Sequence, residues 1–244
     1  MTIRDAIRKT IKKLLASRGY TLTRLNPGRD TMDNACQAIA ARGHALNTVV
    51  DIGASDGRWS RDFMRYFPDC QYLLVEAQPV HAPRLKQFCR EHTNIRYIMA
   101  AAGETSGQIY FDASNPLGGQ ASHIPFVAHN LVVPMTTVDD EVISRQLPAP
   151  YLIKFDTHGF EVPILKGAQR TLQATEIIIM ECYNYQIAPE CLLFDEMCAY
   201  LRVLGFRCVD LADPMFRPHD NTLWQMDLVF VRESWPDASY HDFE

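Results

Sequence analysis

The chain has 244 residues, 47% of them hydrophobic and 22% charged, with a formal net charge of −5. That mix suits one sizeable soluble α/β domain and excludes a disordered chain; no apolar run approaches the ~20 residues of a membrane-spanning helix and no signal-peptide core is present, so a cytoplasmic location is expected. The charge is uneven, since residues 1–30 carry eight Lys/Arg against Asp5 and Asp30, net +6, which leaves −11 for the rest; an acidic body without a basic stripe excludes a long nucleic-acid groove.

Ile3, Ile7, Ile11, Leu14 and Leu15 recur at helical spacing, with Arg4, Arg8, Lys9, Lys12 and Lys13 between them, so residues 1–18 read as a basic amphipathic helix. Such a helix packs on its own domain, pairs with a second copy in a homodimer, or lies on an anionic membrane surface, where each cation adds on the order of 1 kcal/mol. After the break at Pro27-Gly28, residues 31–43 read as helix and 48–53 as the first strand. A helix over 55–66, a strand over 72–76, a helix over 83–92 and a strand over 95–101 follow, and this β-α-β-α-β alternation means a right-handed parallel sheet.

From 103 to 135 the pattern changes to two short strands, 108–111 and 131–135, around a polar, Gly-rich segment at 114–122, an insertion with a mobile loop over the sheet edge. The alternation resumes with a strand at 151–156, a helix over 162–173 and a strand at 176–181. A helix over 191–204 then leads to strands at 206–211 and 226–232. Residues 212–225, with Pro214 and Pro218, are too short for a crossover helix, so the last strand is antiparallel. The expected fold is a class I methyltransferase (Rossmann-like) α/β architecture: a seven-stranded, mostly parallel sheet with helices on both faces.

The most informative stretch is Val50-Asp51-Ile52-Gly53-Ala54-Ser55-Asp56-Gly57, followed 25 residues after Asp51 by Glu76 at the end of a second apolar run. Two glycines let the backbone turn tightly around a ligand, and the later acid stands where a ribose diol lies in a nucleotide-binding β-α-β unit. The Gly-x-x-x-Gly spacing departs from the Gly-x-Gly-x-x-Gly that favours a pyrophosphate, and so points to S-adenosylmethionine over NAD. The seven scattered cysteines form no Cys-x-x-Cys pair, and His129, His219 and the other histidines no His-x-x-x-His, so no transition-metal site is expected.

With these pieces in place, residues 47–233 resemble the FkbM family of S-adenosylmethionine-dependent O-methyltransferases. The likeness rests on the 50–57 stretch and three others: Val75-Glu76-Ala77-Gln78-Pro79, Pro134-Met135-Thr136-Thr137-Val138-Asp139-Asp140, and Ile153-Lys154-Phe155-Asp156-Thr157-His158-Gly159-Phe160-Glu161 with Leu165-Lys166-Gly167-Ala168. The family pattern usually has Asn at Ser55 and Glu at His158. Three regions follow: a basic helical segment at 1–46, the methyltransferase domain at 47–233 and a tail at 234–244.

The resemblance implies cofactor contacts from Asp51, Gly53, Ser55, Gly57, Glu76, Gln78, Pro79, Ala101, Ala102 and Asp156. Gly53 and Gly57 would offer amides to the methionine end, Asp51 would meet its amino group, and Glu76 would accept both ribose hydroxyls. Gln78 and Pro79 would wall the adenosine, with Ala101 and Ala102 at the adenine edge. His158 is the candidate general base and Asp156 lies beside the reacting centre; the competing arrangement is Mg²⁺ held by Asp156 and Glu181, with Glu161 as a third ligand or as a helix cap paired with Lys166. Tyr183, Asn184, Tyr185 and Trp224 suit a glycan or secondary-metabolite acceptor, with core packing the equal alternative for Trp224. The expected activity is transfer of a methyl group to a hydroxyl; the rivals are an NAD-linked oxidoreductase and a non-catalytic interaction module of the same fold.

Overall fold

A computed structural model describes residues 17, 31–128 and 130–235. The basic helix expected over 1–18 therefore lies, apart from Ser17, outside the described residues, as do Pro27-Gly28, His129 and nearly all of the 234–244 tail. The strands are β1 Thr48–Ile52, β2 Gln71–Glu76, β3 Ile95–Met99, β4 Ala101–Ala102, β5 Gly107–Asp112, β6 Gln120–Ser122, β7 Asn130–Thr136, β8 Tyr151–Phe155, β9 Thr175–Tyr183, β10 Phe206–Phe216 and β11 Leu223–Arg232. The helices are α1 Met32–Ala41, α2 Arg58–Phe63, α3 Ala82–Glu91, α4 Val138–Ser144, α5 Glu161–Lys166, α6 Gln169–Gln173 and α7 Phe194–Val203.

Seven strands form the main sheet in the order β10-β11-β9-β8-β1-β2-β3. β1, β2, β3, β8 and β9 are parallel, and β11 runs against both of its neighbours. This is the class I methyltransferase order, with the reversed strand where the Pro-interrupted segment required a hairpin. The insertion forms a second sheet, β4-β7-β5-β6.

Alternation along the strands divides the core in two. Val50, Ile52, Leu73, Val75, Ile153, Phe155, Ile178 and Met180 pack under α4–α7 and the small sheet, while Val49, Leu74, Leu152, Ile177, Ile179 and Val229 pack under α1, α2 and α3. The same period carries Asp51, Glu76, Lys154, Glu181 and Asp227 onto the second face, so an aliphatic surface turns ionic where the parallel strands end. At that end the β1 turn approaches β8 so closely that a Cβ on Gly53 would lie 1.9 Å from the Asp156 carbonyl oxygen.

Four details depart from the sequence pattern. The helix expected over 162–173 is two helices, because Gly167 packs on the Gly103 carbonyl, 2.0 Å from where a Cβ would stand. The strand expected over 95–101 divides: β3 stays in the main sheet and β4 turns into the small one. Residues 120–122, expected as loop, pair as β6 with β5. The unexpected α4 is capped by Thr137, whose Oγ1 accepts the Asp140 amide at 3.0 Å, and Asp139 caps α6 by accepting the Arg170 and Thr171 amides at 2.9 and 2.8 Å.

Gly43 and Gly53 have nearly the same φ, 72° and 77°, but nothing lies within 4 Å of a Cβ at Gly43. Gly43→Ala should thus cost only the left-handed backbone penalty of about 1–2 kcal/mol. Gly53→Ala should cost a further 1–3 kcal/mol or so, because two backbones must separate. Urea midpoints of the two variants measure the difference.

Candidate active site

The first turn is built from alternating left-handed residues, Gly53 (φ 77°), Ser55 (φ 51°) and Gly57 (φ 81°). Asparagine, the residue the resemblance puts at Ser55, tolerates this conformation better than serine does. The turn consumes its own donors: the Gly53 and Ala54 amides both donate to the Val75 carbonyl, at 2.9 and 3.1 Å, and the Gly57 amide donates to the Ala54 carbonyl at 2.8 Å. The amides expected to face a ligand carboxylate are therefore turned to backbone. The Ser55 amide instead donates to Glu76 Oε2 at 2.7 Å and the Gln78 amide to Oε1 at 2.6 Å. Glu76 is 6% exposed; burial pushes its carboxyl up, against these amides and His81. Each oxygen keeps a lone pair for a further donor.

A cavity of about 960 Å³ opens here. Gly53, Ser55, Glu76, Gln78, Ala101 and Ala102 line one side, and Asp156, His158 and Glu181 another. Three expected residues stand behind the wall. Gly57 caps α2, Pro79 begins the 3₁₀ turn Pro79–His81, and Asp51 is 0% exposed with its Oδ2 accepting Ser60 Oγ at 2.7 Å. Asp51 Oδ1 and Trp59 Nε1 are buried without hydrogen-bond partners. One lacks a donor and the other an acceptor, and the ammonium and carboxylate of an α-amino acid would supply that pair, with a water bridging to Asp51. Together with Glu76 for a ribose, the residues present fit an adenosyl-amino acid.

Lys154, 3% exposed, sits between Asp51, Asp156 and Asp227. Burial disfavours its ammonium, but Asp156, Asp51 and Asp227 outweigh that and raise its pKa. The ammonium donates to Asp156 Oδ2 at 2.8 Å. Burial likewise works against the Asp156 carboxylate, yet Lys154, Glu181 and His158 hold it well below the usual carboxylate range. Glu181 goes the other way, pushed up to about 9 by burial and by Asp156, so near neutrality the pair carries one charge and one proton. Asp51 and Asp227 are each raised to about 6, chiefly by burial.

His158 follows β8 with φ 52°, beside Gly159 at φ 101°. That turn places His158 Nδ1 2.8 Å from the Tyr183 hydroxyl, which donates to Glu181 Oε1 at 2.8 Å. Nε2 lies 3.2 Å from the Leu117 carbonyl oxygen and 3.8 Å from Asp156 Oδ1. Burial and Glu181 hold the Tyr183 phenol far above its usual range, so it stays protonated. Glu161 is turned away from this group: it is buried and accepts the Gly159 amide at 2.9 Å and Thr157 Oγ1 at 3.0 Å, while Lys166 pairs with Glu104 instead.

One ligand atom each from Asp156, His158 and Glu181 lies within 4.8 Å of the others. The donor set nevertheless fits a divalent cation poorly. Lys154 occupies Asp156 Oδ2, and Tyr183 and Gln225 both donate to Glu181 Oε1. A divalent cation would have to take the remaining oxygens, Asp156 Oδ1 and Glu181 Oε2, beside the Lys154 ammonium.

The insertion closes over the cavity. Gln78 Nε2 reaches the Asn115 and Pro116 carbonyls at 3.1 and 3.2 Å, and Gln120 Nε2 donates to the His158 carbonyl at 3.1 Å. Gln78 thus ties down the loop as well as lining the wall. Sequence reasoning passed over Lys154, Trp59, Gln225 and Asp227. The available signal was a lone charge inside the apolar runs Tyr151-Leu152-Ile153-Lys154-Phe155 and Met226-Asp227-Leu228-Val229, where a buried ion needs partners.

The strand order and this ionic edge define a class I methyltransferase fold with an adenosyl-type cavity. The Methyltransferase FkbM domain matches residues 51–208, and the chain belongs to that family. It is 28% identical over 89 residues to the hexuronic acid methyltransferase AglP of Haloferax volcanii, covering 36% of each protein. It is 24% identical over 156 residues to the 2-O-methyltransferase NoeI of Sinorhizobium fredii, covering 57% of this chain and 64% of that one. The matches thus span less than two thirds of either relative. Among solved structures, an rRNA methylase from Streptococcus thermophilus aligns at 10% identity and a TM-score of 0.43, over 81% of this chain and 93% of that one. No helix among the described residues is long and apolar enough to cross a membrane.

Two outcomes test the electrostatics. Asp227, raised from 3.8 to about 6, keeps a proton in the folded state over a range where the unfolded chain has lost it. Its destabilising charge is present above about pH 6 and is relieved as pH falls toward 4. Urea unfolding from pH 7 to 4.5 should therefore show the wild type gaining stability relative to Asp227→Asn on acidification. Mg²⁺ or Zn²⁺ at millimolar levels should leave the thermal midpoint within about 1 °C, since a cation that bound the folded state would raise it.

Proposed function

We propose that this chain moves a methyl group from S-adenosylmethionine to a hydroxyl of a glycan or secondary metabolite. The observation that carries the reading is the convergence, in one cavity, of the buried Glu76 acceptor and the His158 imidazole. Family membership and the O-methyl chemistry named for one relative point the same way. The reading includes a cytoplasmic protein; a homodimer and contact with an anionic membrane through residues 1–18 rest on the sequence pattern alone.

S-adenosylmethionine, when bound, supplies an electrophilic methyl carbon. Glu76 would orient the ribose, with Asp51 and Trp59 at the amino-acid end. A neutral His158 donating Nδ1–H to the Tyr183 oxygen would leave its lone pair on Nε2, and because Nε2 lies 3.2 Å from the Leu117 carbonyl oxygen, that carbonyl must give way for a hydroxyl to meet it. During the transfer, His158 Nε2 would take the proton of the acceptor hydroxyl. The imidazolium so formed donates to the Leu117 carbonyl and faces Asp156, groups already 3.2 and 3.8 Å away. The loop bearing Leu117 would also exclude water from the reacting atoms.

His158→Ala should lower kcat by about 10²-fold or more while changing the S-adenosylmethionine Kd less than about twofold. An unchanged kcat would remove His158 from the reaction. Calorimetry with S-adenosylmethionine, S-adenosylhomocysteine and NAD tests the cofactor: the first two should bind and NAD should not.

A further inference from the structure

The cavity wall opposite the adenosyl side is made by the β10–β11 hairpin and the segment after β9. Register shifts in β10 between Ala212 and Met215, with Asp213 at φ 45°, turn Asp213 and Met215 into the cavity beside Trp224 and Gln225. Trp224 is held firmly. Its carbonyl accepts the Asn184 amide at 2.9 Å, its ring stacks on Tyr185 at 5.3 Å, and the Arg217 guanidinium lies 4.3 Å from the Tyr185 ring centre. Trp224 also meets Tyr183 edge-on at 6.2 Å, and Tyr183 bonds to His158. Trp224, Tyr183 and His158 line the same cavity.

Among the described residues, two carboxylates beside that plate, Asp213 and Asp227, are not taken up by donor side chains. Asp227 makes no side-chain hydrogen bond among the described residues, and Asp213 accepts only the Met32 amide, at 3.3 Å. The cations bordering the cavity are neutralised: Lys154 by Asp156 at 2.8 Å, Arg58 by Asp56 at 3.0 Å, and Arg65 by Asp33 at 2.6 Å. A ligand fitting an aromatic face rimmed by carboxylates must bring an apolar ring face and several hydrogen-bond donors, and must carry no anion. A phenolic metabolite has the face but few donors, and a uronic acid has a carboxylate with no cation to meet it.

We infer that the acceptor is an uncharged sugar ring stacked on Trp224, with Asp213 and Asp227 accepting its hydroxyls, and that uronic acids are rejected. This rests on the methyl-transfer reading. It also separates this chain from the hexuronic acid methyltransferase to which it is similar.

The test is methyl transfer from radiolabelled S-adenosylmethionine to a panel of neutral methyl glycosides, the matching methyl uronosides and simple phenols, with S-adenosylhomocysteine binding measured alongside by calorimetry. Neutral glycosides should be labelled at least about tenfold more efficiently than uronosides, the ratio one unfavourable contact of about 1.4 kcal/mol produces. Trp224→Ala should raise the glycoside KM by about tenfold with kcat and S-adenosylhomocysteine affinity nearly unchanged, and Trp224→Phe, which keeps an aromatic face, should recover most of it. Asp213→Asn, at an exposed position, should narrow the preference against uronosides. Uronosides or phenols labelled as well as neutral sugars, a Trp224→Ala KM equal to wild type, or a panel left unlabelled by a protein that binds S-adenosylhomocysteine would each overturn the sugar assignment and leave the cofactor reading standing. Failure to bind S-adenosylhomocysteine would remove both.

Discussion

The site is organised around one buried ammonium. Lys154 lies on a central strand with almost no access to water, a placement that costs several kcal/mol unless opposite charge converges on it. Asp51 from β1, Asp156 from the end of β8 and Asp227 from β11 provide that charge. The remaining chemistry follows from the balance. Lys154 keeps Asp156 ionised, and an ionised Asp156 leaves the proton of the pair on Glu181. Glu181 Oε1 accepts from the Tyr183 hydroxyl, whose oxygen lies 2.8 Å from His158 Nδ1. A charge set in the sheet interior is thus linked through Asp156, Glu181 and Tyr183 to the imidazole at the cavity surface.

That sequence of contacts needs β1 and β8 to end close together. The Asp156 amide donates to the Ile52 carbonyl at 2.9 Å, and the Asp156 carbonyl occupies the space where a Gly53 side chain would be. The glycine of the first motif is therefore required by the neighbouring strand at least as much as by a ligand. Its amide donates to the Val75 carbonyl, and the Ser55 amide two residues on holds Glu76.

How much was legible in the sequence depends on how local each feature is. Strand ends marked by an acid after an apolar run, as at Asp51 and Glu76, are local, and the structure puts both at the carboxyl edge of the sheet. The reversed last strand was readable because Pro214 and Pro218 forbid a crossover helix. Partnerships between distant strands were not readable. The register that sets Asp51 beside Lys154 and Asp227 beside Glu181 is a property of the assembled sheet. Motif membership was also a poor guide to role. Thr137 and Asp139 cap helices, and Glu161 is buried on the Gly159 amide, although all three belong to segments that carry the family likeness.

The departure at His158 is consistent with this electrostatic frame. A glutamate there would place a third carboxylate within ligand distance of Asp156 and Glu181, and three acids so close would either share protons or draw in a divalent cation. Imidazole adds no negative charge. It bonds to the Tyr183 hydroxyl and, with Lys154 and Glu181, holds Asp156 ionised. Under the proposed reading, proton transfer falls to a histidine that no metal need activate, and the carboxylates of β10 and β11 are left for the acceptor.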